Sequence, residues 1–533
     1  MSPAQASPAR PGDELATTVR DAALAVLRGY DARVLFGNPG TTELAFLNDL
    51  PDDFDYVLGL NEVAITGIAD GYAQATGRPV LLNLHTAAGL GNAMGALVNA
   101  HAARSPLVVL VGQQARELIG IAGVLTNTAP LLLPLGAVKH VEQPACAEDV
   151  PAALARAFHL ATQAPQGPVC VSVPMDDWQR QPAPGASATA AATRVHGRPV
   201  LSAEALDGIA ARLRSAHTPA LVIGPGADTS TGFWAAAELA DRLDAPVWAT
   251  PWAYRTGFPT NHPAFQGQLP LTVEGVAKTL AGHDVVLSAG GPVFRYLSAD
   301  DGAWPVLTPQ TSVLALTDDP LEAARNAAGE TWVGDVGPAL RGLCDRLPHP
   351  ETARPGARTA HSPDAGHGLA GYGDVFAVLN EVCPAETVVV NEPPQGIDDL
   401  MRVMPRTLPG GFYFAAACGL GFAAAGAIGI QLAEPARPVV AVLGDGSLQY
   451  SLQALWTAAR HRLPVTFVVV NNSGYGILKD LAHAQDFGRL PGMELPGIDI
   501  PALAHGYGCP HSASPPGPNC CARCAHPPRP ARA

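Results

Sequence analysis

Long apolar runs are missing from this chain. No stretch of eighteen or more apolar residues escapes a polar break, so no membrane-spanning helix is expected. The first residues, Met1 to Asp13, are rich in Pro and Ala and lack the apolar core of a secretory signal, so a cytoplasmic location is expected. Positive charge is scarce too. Three Lys (Lys139, Lys278, Lys479) and thirty Arg face 47 acidic residues, leaving a net charge of −14. Such a surface repels phosphate backbones, so no nucleic-acid partner is expected, and the lack of an apolar span leaves no membrane partner expected either. Charged residues make up only 15% against 47% hydrophobic, the balance of a core-rich globular chain. Cysteine is sparse and uneven. Cys146, Cys170, Cys344, Cys383 and Cys418 read as buried thiols of a reducing compartment, whereas Cys509, Cys520, Cys521 and Cys524 crowd the last 25 residues.

Two low-complexity stretches, Gln181 to Pro199 and Glu351 to Gly373, read as linkers. They divide the 533 residues into blocks near the usual domain size of roughly 150 residues. Within each block, short apolar runs bounded by Gly or Pro alternate with longer helical segments. Strands are expected at Val34–Phe36, Tyr56–Leu60, Val80–Leu84, Leu107–Val111 and Val169–Val173 in the first block. The second offers Ala220–Ile223, Val247–Ala249, Val285–Ser288 and Val313–Leu316, and the third Thr387–Val390, Val439–Leu443 and Val465–Val470. The alternation predicts an α/β protein of three doubly wound parallel-sheet domains in series, over 14–180, 200–350 and 374–508, followed by a tail, 509–533. Ligands should then sit at the carboxyl ends of strands.

Two turns in the third block carry the strongest chemical signal. Val439-Val-Ala-Val-Leu-Gly444-Asp445-Gly446-Ser447 and Val468-Val-Val-Asn471-Asn472-Ser-Gly474-Tyr475-Gly476 are each an apolar strand ending in a polar, Gly-bearing turn. Asp445 and Asn472 lie 27 residues apart, room for a helix and a return strand, so adjacent parallel strands would bring both to one sheet edge. A carboxylate, an amide oxygen and a backbone carbonyl suit Mg²⁺, which takes few protein ligands and fills the rest with phosphate and water. Gly444 and Gly446 allow close backbone approach to a diphosphate at a helix N-terminus.

A second polar cluster is expected in the first block. Gly37-Asn-Pro-Gly40-Thr41-Thr42-Glu43, Glu62 and the segment from Asn83 through His85 to Asn92 each follow a strand. Taken singly, Thr41 reads as a helix cap, Glu62 as a first-turn charge and His85 as a satisfied loop histidine. Together with the metal motif they read as half of an active site.

The paired GDG and NN motifs resemble the signature of thiamine-diphosphate-dependent enzymes. GNPGTTELAFL, LNEVAITGIADGYAQATGRP, NLHTAAGLGNAMGAL, PLVVLVGQQARELIG and GLGFAAAGAIGIQLAEP resemble the benzoylformate decarboxylases among them, from about Val19 to Gly508. That resemblance implies thiamine diphosphate and Mg²⁺ as cofactors and non-oxidative decarboxylation of an aromatic 2-oxo acid through a cofactor ylid. Glu62 would hydrogen-bond the aminopyrimidine, and Leu420 would lie beneath the cofactor. Asp445, Asn472 and the Gly474 carbonyl would bind the metal. Gly444, Gly446, Ser447, Tyr475, Gly476 and Ile477 would also line the cofactor. His85 would act as acid and base, and Thr41, at the family's Ser position, would hold the substrate carboxylate. The resemblance places Thr41, Leu125, Leu297, Phe414, Tyr450, Ile477, Leu478 and Leu481 around the substrate. It further implies a homodimer as the minimal unit, a homotetramer as the expected one, and a place in the mandelate pathway.

The chain departs from the family in three places. Leu297 follows Phe294-Arg-Tyr296 where the family has a second active-site histidine. Pro394, Ile477 and Leu481 replace Thr, Ala and Phe. After Gly508 the sequence holds seven Pro and four Cys, with no run that predicts a buried strand. The tail is expected to be disordered; few Lys beside many Arg suggest a GC-rich gene, so it reads as a frameshift product, with zinc at Cys521, Cys524 and His526 as a minor alternative. Two other functions stay open. One is a carboligase or a decarboxylase of smaller aliphatic oxo acids, suggested by Leu297 and Ile477. The other is a non-catalytic protein with a damaged cofactor domain.

Overall fold

The computed structural model describes residues 17–184, 195–297, 311–349, 371–510 and 520–523. Both proposed linkers lie largely outside this set, although the second ends where Gly371 opens the helix Tyr372–Val382.

Three sheets form in chain order. The first contains β1 (Val34–Asn38), β2 (Asp55–Leu58), β3 (Val80–Leu84), β4 (Leu107–Gln113), β5 (His140–Glu142) and β6 (Val169–Pro174). The second contains β7 (Pro219–Ile223), β8 (Val247–Ala249), β9 (Phe265–Gln268), β10 (Val285–Ala289), β11 (Ser312–Thr317) and β12 (Glu330–Val333). The third contains β13 (Val388–Asn391), β14 (Phe412–Tyr413), β15 (Val439–Gly444), β16 (Val465–Val470) and β17 (Cys520–Arg523). Their spatial orders are β2-β1-β3-β4-β6-β5, β12-β11-β10-β7-β8-β9 and β14-β13-β15-β16-β17. Strand pairing is parallel throughout, except that β17 runs antiparallel to β16. Every residue of β3, β4, β6, β7, β10 and β13 is buried, as expected of strands covered by helices on both faces.

The first and third sheets share one apolar core. Their link is a pair of helices, Glu62–Thr76 and Phe422–Ala433, brought together by glycines. A Cβ on Gly429 would lie 1.9 Å from the Ile68 carbonyl oxygen, and one on Gly71 would lie 2.2 Å from that of Gly426. The second sheet has its own core and is tied to the first part by Arg104, which pairs with Asp318, Asp319 and Glu322.

Two expectations are corrected. The tail was expected to be disordered, without a run that makes a buried strand, yet its described segment Cys520–Arg523 pairs with the open edge of β16. Edge pairing needs only backbone N–H and C=O groups, so it carries no apolar signature. Cys509, the first tail residue, joins the core, with its Sγ 3.4 Å from the Leu455 carbonyl oxygen. Cys524 and His526 of the zinc alternative lie outside the described residues. Secondly, Cys146 and Cys418 are exposed and Cys383 is half-buried, because they sit in loops and at a helix end rather than in strands. Among the described residues, no helix is long and apolar enough to cross a membrane.

Candidate active site

The polar residues of the first part gather where β1, β2, β3 and β4 end. Asn61 caps the Glu62–Thr76 helix by accepting from the Val63 N–H at 2.8 Å, which makes Glu62 its first residue. Glu62 is buried, and amides hold both of its oxygens. Asn38 donates to Oε1 at 2.9 Å and Asn92 to Oε2 at 3.1 Å. Beside it, His85 directly follows β3 and occupies the N-cap position of the helix Thr86–Ala102 without a side-chain capping bond. Its Nδ1 lies 2.9 Å from Glu43 Oε2 and 3.0 Å from Thr42 Oγ1. Glu43 is buried and also accepts from the Gly40 N–H at 2.7 Å and the Thr42 hydroxyl at 2.5 Å. A carboxylate facing Nδ1 favours the tautomer with the proton there, which leaves the lone pair on Nε2.

Thr42 and Glu43 therefore support His85, and the sequence motif did not single them out. Thr41 instead stands exposed at the start of the short 3₁₀ turn Thr41–Glu43.

In the third part, β15 and β16 pair in register up to Gly444 and Val470, so Asp445 and Asn472 leave the sheet at the same edge. Asp445 is 1% exposed, and its Oδ2 is buried without a hydrogen-bond partner. A buried carboxylate oxygen left open in this way calls for a cation. The Asn472 side-chain oxygen accepts from the Gly474 N–H at 3.2 Å, closing the turn that leads into the helix Gly476–Ala484. With oxygen donors only, this set fits Mg²⁺ and diphosphate and does not fit a thiophilic metal. Gly444, Ser447, Tyr475, Gly476 and Ile477 are half-buried around it, and Gly446 is buried.

Leu125, Leu297, Tyr450 and Leu478 are exposed, while Leu481 and Leu420 are half-buried. Phe414 is buried and stacks on Trp252 with ring centroids 6.1 Å apart. A cavity of about 740 Å³ lies elsewhere, between the first and second parts, lined by His101, Arg104, Lys139, Tyr254 and Arg295 among others. It contains neither Glu62 nor Asp445.

Comparisons with known proteins place the chain in a family. The chain matches the N-terminal TPP binding domain of thiamine pyrophosphate enzymes over residues 17–165. It matches their central domain over 206–343 and their C-terminal TPP binding domain over 399–518. It is 41% identical to the benzoylformate decarboxylase of Pseudomonas aeruginosa, covering 92% of this chain and 93% of that one. The chain belongs to the benzoylformate decarboxylase family of thiamine pyrophosphate enzymes. Among solved structures, the thiamine diphosphate-dependent 4-hydroxybenzoylformate decarboxylase of Rhodococcus jostii RHA1 superposes with a TM-score of 0.90 at 41% identity, covering 93% and 94% of the two chains. The benzoylformate decarboxylase of Polynucleobacter necessarius gives 0.87 at 36% identity, with 93% of each chain covered.

One buried carboxylate of this family member escaped the sequence reading. Glu392 directly follows β13 and accepts from the backbone N–H groups of Gly421 and Ala423. Burial pushes its carboxyl up to about 7. The signal was present, a polar residue closing the apolar run Val388-Val-Val-Asn391, but its partners lie some thirty residues away.

Proposed function

We propose that this enzyme decarboxylates an aromatic 2-oxo acid of the benzoylformate type, giving an aldehyde and CO₂, with thiamine diphosphate and Mg²⁺ bound. One observation carries the reading. Two sheet edges of one chain hold a buried carboxylate fixed by amides, Glu62, and a buried carboxylate with an open oxygen, Asp445, within a family whose cofactor needs both.

When bound, thiamine diphosphate supplies the electron sink that lets CO₂ leave a 2-oxo acid. The chain's residues bind, orient and move protons. Asp445, Asn472 and the Gly474 carbonyl would hold Mg²⁺. Gly444, Gly446, Ser447, Tyr475, Gly476 and Ile477 would surround the diphosphate, and Leu420 would support the ring. Glu62 directs its carboxylate at the aminopyrimidine. His85 offers Nε2 as the proton-transfer atom, and Thr41 gives its hydroxyl to the substrate carboxylate. Leu125, Leu297, Phe414, Tyr450, Ile477, Leu478 and Leu481 shape the acyl pocket.

A second copy of the chain completes that pocket, so the working unit is at least a homodimer, with a tetramer as the full assembly. Supporting this, Ile121, Val124 and Leu132 near Leu125 are 76%, 83% and 68% exposed in one chain. Free thiols in the core, Cys170 and Cys344, suit the reducing cytoplasm.

Incubation with benzoylformate, thiamine diphosphate and Mg²⁺ tests the activity. Equal yields of CO₂ and benzaldehyde, dependent on the cofactor, are expected. Cofactor binding without product would reject the aromatic substrate. A 2-hydroxy ketone from pyruvate plus an aldehyde would favour ligation instead, the reading suggested by Leu297 and Ile477.

A further inference from the structure

The loop between β14 and the Phe422–Ala433 helix carries Leu420 in a conformation its residues would not choose alone. Cys418 has φ 59° and Gly421 has φ 98°, a region that only Gly enters freely. Polar groups from all three parts of the chain hold this loop. Asn99, in the last turn of the Thr86–Ala102 helix, makes three bonds to it. Its Oδ1 accepts from Ala417 N–H at 3.2 Å and Gly419 N–H at 3.1 Å, and its Nδ2 donates to the Gly419 carbonyl at 2.9 Å. From the opposite side, Glu392 accepts from the Gly421 N–H and, at 2.8 Å, from the Ala423 N–H. Arg295 of the middle part donates to the Ala416 carbonyl at 2.8 Å. Gly419 is needed for this fit, since a Cβ there would sit 2.7 Å from Asn99 Nδ2.

The placement of Glu392 is costly. It is 1% exposed, its hydrogen bonds come from backbone N–H groups, and burial raises its pKa. A Ser or Thr at the N-cap position itself is disfavoured, because Gly421 has φ 98° and a Cβ there would lie 2.8 Å from Tyr450 Cβ. What the carboxylate adds is two simultaneous bonds that fix both the turn at Gly421 and the first turn of the helix.

We propose that Asn99 and Glu392 are positioning residues that set the height of Leu420 against the cofactor, one acting from each cofactor-binding part of the chain. This rests on the reading of Leu420 as the residue beneath the ring. Loosening either clamp lets the loop relax, so the cofactor binds more weakly and the reacting atoms lose alignment, while substrate contacts are spared.

The test uses full-length Asn99→Asp, which keeps Oδ1 but turns the bond to the Gly419 carbonyl into a repulsion, and Glu392→Gln, which keeps one acceptor. Gly419→Ala displaces the loop by a third route. The measurements are amide hydrogen exchange across residues 415–423 without cofactor, thiamine diphosphate affinity with Mg²⁺ by fluorescence titration, kcat and KM, and the cofactor-free Tm. Exchange should quicken in that segment alone. The cofactor Kd should rise and kcat should fall by roughly tenfold or more, with KM within about threefold and the cofactor-free Tm within a few degrees. Faster exchange with wild-type cofactor affinity and kcat would overturn the proposal. So would an affinity loss that merely tracks a global fall in Tm. If the wild-type chain itself fails to bind thiamine diphosphate, the underlying cofactor reading fails instead.

Discussion

The imidazole of His85 rests against the carboxylate of Glu43, with Nδ1 to Oε2 at 2.9 Å. Glu43 is 1% exposed and fixed by the Gly40 N–H and the Thr42 hydroxyl, so it cannot swing away. The pair orients the ring and assigns its proton. Glu43→Gln should keep the shape yet lose this tautomer preference, because the amide can donate to Nδ1 as easily as accept from it. We expect kcat to fall about 10- to 100-fold, with KM less affected. A kcat within twofold of wild type would show that Glu43 does not govern His85.

Gly40 offers a steric version of the same test. A Cβ there would lie 2.3 Å from His85 Nδ1, closer than real contacts allow. The backbone angles at Gly40 are extended, so Ala brings crowding and not backbone strain. Gly40→Ala should displace the ring and lower activity by about a hundredfold while the fold persists. Activity assays beside a thermal melt distinguish this from unfolding.

The same physics decides what the sequence reveals. Every interior strand is recoverable from its apolar run, as with Leu107–Gln113, because burial on both faces forces an unbroken apolar stretch. The strands that escape are β5, β9, β12, β14 and β17, and each lies at a sheet edge. Phe265–Gln268 and Glu330–Val333 are partly exposed and half polar, so nothing in their composition sets them apart from loops. The candidate site divides similarly. Glu62, His85, Asp445 and Asn472 are legible because each closes or follows an apolar strand. Asn38 and Asn92 stood in the quoted motifs, but their bonds to Glu62 join residues 24 and 30 positions away, which no local pattern encodes.

The open oxygen of Asp445 makes metal binding measurable without turnover. Ligands that bind only the native state stabilise it, by about 2.7 kcal/mol at a hundredfold excess over Kd. Thiamine diphosphate with Mg²⁺ should raise the Tm, and a chelator should reverse the gain. Asp445→Asn should abolish the response while leaving the cofactor-free Tm close to wild type, since no protein bond to Oδ2 is lost. A full Mg²⁺-dependent shift in the variant would remove Asp445 from the metal site.

Gly429 and Gly208 should respond to the same substitution in opposite directions. At Gly429, a Cβ would lie 1.9 Å from the Ile68 carbonyl oxygen and 2.6 Å from the Tyr72 nitrogen, at the crossing of two buried helices. Gly429→Ala should destabilise by about 1–3 kcal/mol or more, because both neighbours are backbone and cannot step aside. Gly208 lies exposed in the helix Ala203–Ser215, with nothing within 4 Å of a new Cβ. Gly208→Ala should stabilise by about 0.5–1 kcal/mol through the entropy of the unfolded chain. Denaturant titrations of both variants check the signs.

Two buried carboxyls set the expected pH dependence of stability. Burial pushes Glu392 up to about 7 and Asp70 up to about 6, despite the bonds Asp70 receives from Ser105 and Gln74. In each case the native state binds the proton more tightly than the unfolded chain does. Their contribution is therefore fully present below the ordinary carboxyl range and is lost as pH rises through the native values. Between about pH 4.5 and 7 Glu392 should lower stability by up to ~1.4 kcal/mol per pH unit. Glu392→Gln carries no such proton. Its deficit relative to wild type should be largest near pH 5 and should shrink towards pH 7.5. Parallel melts across this range decide the matter. A deficit independent of pH would mean that the Glu392 carboxyl remains ionised throughout, its charge held by the two N–H groups at the start of the Phe422–Ala433 helix.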